Sequence, residues 1–503
     1  MLSRRSALGF IAAVPPAMAG GNIAPQAFGN PQAPGNSRAS EALDWDISPD
    51  GRQFEEYQIC FSKGLQHSVN GYPERGPFDR FYKAIRERDI NAFERVKLSV
   101  PWVDPTAGNQ LCSAQILRQQ GGPWLGTRVM LGDVAELYWA SLIRDVPFGL
   151  YGDSELADRA NKELLRIDAQ RFSAALFRMD LPEADRGGFL SQFLVKPAPL
   201  NGIPVAQRIL CPTSANDFLT TRDRWQECQN GHRSRFVTTY LETPRYIFNG
   251  RALAEFVHND FAFQAFLWAG LILQSWGQQA LNPGLAARYT QNSSAFVKYG
   301  WPRVFSLLAE ASDKALQDVW FWKWRIFRRL RPEELGGRYS LAASEGAGAA
   351  REINIGSLEA VRASEKKLGT TFLAQAYPEG APMHPSFPAG HAEIAGACVT
   401  ILKAFSDPAF LVPGPVLPSE DGLDVASYKE SLSVEGELNK LAWNIAFGRA
   451  FAGIHYRSDC EAGLRLGEDI ALKVLADAGR ENRQDKSTLW FRRFDGSATS
   501  VSV

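Results

Sequence analysis

The sequence predicts an all-α protein made of helical bundles, two four-helix-bundle-like cores with minor β hairpins. Three observations predict this class. Apolar residues recur at helical spacing in long runs, strand-like alternation is scarce, and 45% of the 503 residues are apolar, enough for a large buried core.

Taken in order, Ser3-Arg4-Arg5 precedes an apolar run from Ala7 to Val14 and a small-x-small site at Ala17-Met18-Ala19. Residues 1–19 therefore read as a signal peptide of the twin-arginine type, which implies export to the periplasm or beyond. Residues 20–43, rich in Gly, Pro, Asn and Ala, read as a flexible leader, and 44–503 as a single helical domain. The apolar run is too short to be a stable membrane span, and no later stretch looks transmembrane.

Phe78, Phe81, Tyr82 and Ile85 mark the first helix face. Helical runs follow at Arg128 to Arg144, Glu155 to Arg178, Ala252 to Trp276, Val304 to Leu330, His391 to Phe405, Val434 to Phe451 and Asp459 to Ala478. Between Leu181 and Tyr246 short β-branched pieces such as Phe236 to Tyr240 predict a minor hairpin or connection. Gly336 to Gly369 reads as a long connection with a small helix, and Pro408 to Asp424 as non-helical. The aromatic cluster Trp490, Phe491 and Phe494 reads as an exposed oligomer or domain contact.

Lys plus Arg equals Asp plus Glu at 55 each, so no global field recruits nucleic acid or an anionic membrane, and any anion site must be local. Six scattered cysteines without a C-x-x-C pair argue against a structural zinc site.

The chemistry concentrates in three clusters between about residues 300 and 480. In WFWKWRIFRRLRPEE, Lys323 and Arg331 lie about 80° apart on an ideal helix, and Pro332 pushes Arg331 out of helical geometry. In HPSFPAGHAEIAG, Gly390 opens a helix whose first amides form an anion cradle beside His391, with His384 seven residues earlier. In GRAFAGIHYRSD, Arg449 precedes His455 by six residues and Asp459 follows it by four. Ser458 with Glu461 makes a capping box, which places His455 in the turn before a helix. Together these supply three cations, an amide nest and two histidines, the set that vanadate or a phosphoryl group in transfer requires.

These ordered motifs resemble the superfamily of vanadium-dependent haloperoxidases and type 2 phosphatidic acid phosphatases. Beyond them, FSKGLQHSVNG, ELYWASLIRDVPF and PRYIFNGRALAEFVHNDFAFQAF are similar to algal and cyanobacterial vanadium bromoperoxidases. The resemblance implies one vanadate per subunit, with phosphate as an alternative occupant. It implies that His455 coordinates vanadium, that Lys323, Arg331, Arg449 and the Gly390 amide hold its oxygens, and that His391 is the acid–base residue. Lys323 would polarise the peroxide, and Asp459 would orient His455. By position Asp260 pairs with Arg449 or lies on a helix surface, and Trp320 belongs to the halide region or to core packing. His384 favours bromide over chloride.

The implied reaction is oxidation of bromide or iodide by hydrogen peroxide to hypohalous acid, which halogenates small organic nucleophiles; the implied assembly is a homo-oligomer. One departure stands out. The family's Pro-Ser-Gly-His has Ala389 in place of serine, and losing that hydroxyl costs roughly 1.5–3 kcal/mol of oxyanion binding unless water substitutes. The cradle alone equally admits a phosphohydrolase with His455 as nucleophile, or a non-catalytic oxyanion-binding or assembly protein.

Overall fold

In a computed structural model of the chain, the described residues are 59–96, 98, 100–118, 128–345, 355–482 and 485–503. The expected signal peptide and leader, residues 1–43, lie outside them. The described residues all fall in one compact unit, Trp45–Val503.

The all-α prediction holds. The helices are α1 (Arg75–Glu87), α2 (Arg128–Ile143), α3 (Glu155–Ile167), α4 (Arg222–Gln229), α5 (Gly250–Asn259) and α6 (Gln264–Ser275), then α7 (Trp301–Phe321), α8 (Pro332–Glu345), α9 (Glu359–Leu368), α10 (Gly390–Phe405), α11 (Val434–Phe451) and α12 (Arg457–Glu481). Among the described residues strands occur as three antiparallel two-stranded hairpins, β1–β2 (Ala198–Leu200, Ile203–Val205), β3–β4 (Val416–Pro418, Val425–Ser427) and β5–β6 (Thr488–Arg492, Ala498–Ser502). No single described helix is long and apolar enough to cross a membrane.

The central helix is α10, buried along almost its whole length and packed against α7, α11 and α12; a second layer joins α2, α3 and α9. Small residues make the α10–α12 crossing unusually close. A Cβ at Gly396 would lie 2.2 Å from the Leu464 carbonyl oxygen, and one at Gly467 would lie 2.0 Å from that of Glu393. Glycine there lets the backbones touch, which draws the start of α12 to the start of α10.

Several boundaries differ from the sequence reading. The run from Glu155 stops at Ile167 because Asp168 leaves helical geometry and accepts the Arg171 amide at 3.2 Å. The run from Ala252 breaks at Asp260 into α5 and α6, bent by 99°. The run from Val304 leaves α geometry at Trp322–Phe327, a π turn closed by Arg328 at φ 50°. Residues 336–345 are helical, not a loop: Gly337 faces Trp225, where a Cβ would lie 2.0 Å from the ring, so these glycines permit packing and do not break the helix. Phe236 to Tyr240 forms a connection touching Pro212 through one bridge. At the C-terminus only Trp490 is exposed, at 62%, while Phe491 and Phe494 on and after β5 are buried at 4% and 3%. The strict alternation of β5 turns Phe491 inward and Trp490 outward.

Candidate active site

His455 lies in the turn between α11 and α12, 2% exposed, as the spacing predicts. The cap of α12 differs from the predicted Ser458–Glu461 box. The Asp459 carboxylate accepts the Tyr456 amide at 3.0 Å, whereas Ser458 bonds to Asp133 and Glu461 pairs with Arg171 and Arg457. An N3 carboxylate on the first orphan amides is the stronger cap, because it is charged.

Asp459 also lies 2.9 Å from His455 Nδ1, while Arg331 Nη1 lies 2.9 Å from His455 Nε2. An arginine only donates, so Nε2 accepts and the ring hydrogen sits on Nδ1, donated to Asp459. The Nε2 lone pair therefore faces the cations. Burial, then Arg331, Lys323 and Arg449, hold this imidazole well below its usual pKa and hence neutral.

The three predicted cations converge on the site. Lys323 Nζ donates to the Pro385 and Ser386 carbonyls at 2.9 and 2.8 Å. Arg331 donates from Nε to the His384 carbonyl at 2.8 Å, from Nη1 to the Ile454 carbonyl at 3.0 Å and from Nη2 to His384 Nδ1 at 3.0 Å. Arg449 Nη1 donates to the Val257 carbonyl at 2.6 Å, and its Nε is buried without a partner. None of the three has a carboxylate within ion-pair distance among the described residues. Burial, with Arg331 next in size, pulls the Lys323 pKa well down. Burial, opposed by Asp459 and aided by Arg449, brings Arg331 down to about 9.

Gly390 begins α10, and the nearest atom to a Cβ there would be in the Trp320 ring at 3.7 Å. A Cβ there would be in ordinary van der Waals contact with Trp320 and Val319. Ala389, fully buried, is the residue before; its amide donates to the Asp459 carbonyl at 3.0 Å, so α10 and α12 are tied at their first turns. His384 stacks tilted on Trp320 at 4.8 Å between ring centroids. His384 is also held well below its usual pKa by burial and then Arg331.

One pairing is corrected. Asp260 does not bond to Arg449. Its Oδ1 lies 3.1 Å from His391 Nε2. The reason is the break between α5 and α6: Asp260 ends α5 in extended geometry and so escapes the helix face on which it was placed. Burial and Arg449 lower the His391 pKa, with Asp260 opposing.

Two residues went unread. Asp459 further accepts from Arg329 Nη1 at 2.6 Å and from Ser386 Oγ at 2.5 Å, so four donors fix the carboxylate behind His455. The signal for Arg329 was present in its spacing. Pro332 keeps the preceding residues extended, and residues two apart then share a face, so Arg329 must point to the same side as Arg331. Ser386 has no comparable signal.

A family model described as the VCPO second helical-bundle domain matches residues 359–482. The vanadium-dependent bromoperoxidase of Corallina officinalis is 30% identical over 521 residues, covering 83% of this chain and 87% of the relative. The chain belongs to the vanadium-dependent bromoperoxidase family, a family of peroxidase enzymes. The vanadium-dependent bromoperoxidase of Ascophyllum nodosum is likewise 30% identical, over 88% of this chain and 86% of the relative. The fold agrees with a solved structure, the homohexameric second vanadate-dependent bromoperoxidase from Ascophyllum nodosum. It has a TM-score of 0.78 and 24% identity, over 90% of this chain and 86% of that one.

The site of this bromoperoxidase-family chain fits vanadate on its own chemistry. It offers one imidazole lone pair, three buried cations without a carboxylate counter-ion among the described residues, an orphaned Arg449 Nε and the N-terminus of α10.

Proposed function

We propose that the chain oxidises bromide and iodide with hydrogen peroxide to hypohalous acid, which halogenates small organic nucleophiles, and that it does so with vanadate bound at His455. The observation that carries this reading is the neutral His455, its Nε2 aimed among Lys323, Arg331 and Arg449 with no carboxylate to neutralise them. Bound vanadate would supply a Lewis acid for peroxide.

The protein's part is positioning and proton movement. Lys323, Arg331 and Arg449 hold oxyanion oxygens, and Lys323 polarises the peroxide. The Gly390 amide adds a fixed donor that needs no reorganisation. Asp459, immobilised by Arg329 and Ser386, keeps the His455 proton on Nδ1. His391, with its pKa below the ordinary value, is a free base near neutrality. It takes a proton from peroxide, and Asp260 stabilises the imidazolium that results. Trp320 packs His384 in place beside the halide.

On the same reading the mature chain is exported by the twin-arginine route and works as a homo-oligomer. Ser3-Arg4-Arg5 with the apolar run after it supports the first, and family membership with the exposed Trp490 supports the second. Light scattering of the purified protein tests the assembly, and a monomer would overturn it.

Purified protein loaded with orthovanadate should brominate a phenol dye in the presence of peroxide. Absence of a vanadate-dependent rate with both bromide and iodide would sink the proposal. Phosphate-monoester turnover without vanadate, abolished in His455→Ala, would put a phosphohydrolase in its place.

A further inference from the structure

Two adjacent glutamates at the start of α8 gather three chain segments into one buried knot behind the site. Glu334 Oε2 accepts the Arg331 amide at 2.8 Å. Its Oε1 accepts the Ser62 amide at 2.8 Å and lies 2.9 Å from Ser62 Oγ. Arg338 closes the far side, 2.8 Å from Ser62 Oγ and 3.7 Å from Glu334 Oε1. Glu333 Oε2 accepts the Ala381 amide at 2.6 Å, and its Oε1 takes Lys63 Nζ at 2.7 Å and Gln229 Nε2 at 3.1 Å. Lys63 Nζ donates again to the Ala381 carbonyl at 2.6 Å. Backbone bonds from Phe61 to Arg328, 2.7 Å, and from Leu330 to Ile59, 2.9 Å, pair segment 59–61 with the strand-like piece carrying Arg329 and Arg331.

Ser62 Oγ lies 2.9 Å from His67 Nε2, which has the look of a nucleophile and its base. Ser62 Oγ is already engaged by Glu334 and Arg338, and His67 Nδ1 lies 2.8 Å from the Leu65 carbonyl, so neither group is left for a substrate. The contact belongs to the knot.

The knot meets a physical need. Lys323, Arg331 and Arg449 carry like charges into one buried space, and their repulsion pushes Arg331 outward. Apolar packing is non-directional and does not fix a guanidinium to a fraction of an ångström, whereas carboxylates accepting backbone amides on both sides of the site do. Glu334 fixes the Arg331 amide, and Glu333 fixes Ala381, three residues before the His384 carbonyl that receives Arg331 Nε.

We propose that Glu334, with Ser62 and the Glu333–Lys63 pair, is a positioning latch through which segment 59–63 sets the oxyanion affinity of the site. The inference rests on the oxyanion reading above.

The test uses the full chain as wild type, Glu334→Gln and Ser62→Ala. Titration calorimetry with orthovanadate gives the dissociation constant, and a thermal midpoint of the vanadate-free protein checks folding. The latch predicts that the dissociation constant rises about tenfold in Glu334→Gln and several-fold in Ser62→Ala, as loss of hydrogen bonds to a charged acceptor implies. Ser62→Ala removes one hydroxyl and carries the test if Glu334→Gln does not fold. A lowered midpoint with an unchanged dissociation constant in Ser62→Ala means an ordinary structural knot and overturns the latch. If wild type binds no vanadate, the oxyanion reading fails and the latch with it, whereas binding that both variants keep overturns the latch alone.

Discussion

Arg457, two residues after His455 in the chain, and Arg331, in contact with its ring, are equally buried, at 2% and 0%, yet they are treated in opposite ways. Arg457 lies 3.0 Å from Glu136 and 2.9 Å from Glu461, and Glu461 also takes Arg171 at 3.1 Å. Among the described residues the Arg331 guanidinium bonds to carbonyls and two imidazoles. A cation buried for structure brings its counter-ion with it. A cation buried for binding leaves that position to a ligand, and the fold tolerates the cost.

Substitution at the two positions should therefore have opposite consequences, and this is the largest effect expected. Arg331→Met should lower vanadate-dependent bromination by about 10²–10³-fold, the usual loss for one oxyanion donor, with the vanadate-free fold as stable as wild type or more so. Arg457→Met leaves the buried Glu136 without its ion-pair partner, while Glu461 keeps Arg171, and should lower unfolding free energy by about 3 kcal/mol while the site still binds vanadate. Denaturant melts and vanadate titration of the two variants check the contrast; equal destabilisation in both would break it.

The next effect concerns the donor this chain lacks. Ala389 is fully buried before the first turn of α10, and its methyl group stands where a hydroxyl would add a donor to the oxyanion. Ala389→Ser should tighten vanadate binding by about tenfold or more, corresponding to roughly 1.5–3 kcal/mol for a hydrogen bond to a charged group. An unchanged dissociation constant would show that another donor already satisfies that oxygen.

These contrasts were only partly legible in the sequence. The side chains that carry charge were, because Lys323, Arg331, Arg449, His391 and His455 stand in motifs whose spacing around Pro332, Gly390 and the start of α12 leaves few ways to arrange them. Their partners were not. Asp260 was placed by position, either beside Arg449 or on a helix surface, and helical periodicity does not reveal the bend of 99° that turns it to His391. Ser386 and the knot around Glu334 join residues far apart in sequence, 73 from Ser386 to Asp459 and 272 from Ser62 to Glu334, where no local rule applies. The glycines at 396 and 467 were visible, but only the packed helices show that backbone touches them.

A smaller effect separates His391 from His455. Burial and Arg449 lower the His391 pKa, and Asp260 raises it. Asp260→Asn removes the opposing carboxylate, so the pKa should fall further and the acid limb of the bromination rate should move to lower pH. The plateau rate should fall as well, since the imidazolium loses its stabiliser. A limb that stays in place or moves up would exclude His391 as the titrating base.

The smallest effect tests the cations through stability. His384, His391 and His455 are all held below the ordinary 6.5, first by burial and then by Arg331 or Arg449. With depressed folded pKa values, the folded chain binds fewer protons than the unfolded one, so stability present above pH 6.5 is lost as pH falls below it. Bound vanadate offsets the cations but not the burial, so the loaded protein should lose less. Glu136, pushed up to about 7 by burial, titrates in the same window with the opposite sign, but beside Arg457 it does so identically with and without vanadate. The difference between the two curves of thermal midpoint against pH therefore reports the groups beside the cations, the three imidazoles together with Glu393, whose carboxyl burial pushes well above its usual range. It should widen as pH falls below about 6.5, and parallel curves would mean that the cations are neutralised by something other than the oxyanion.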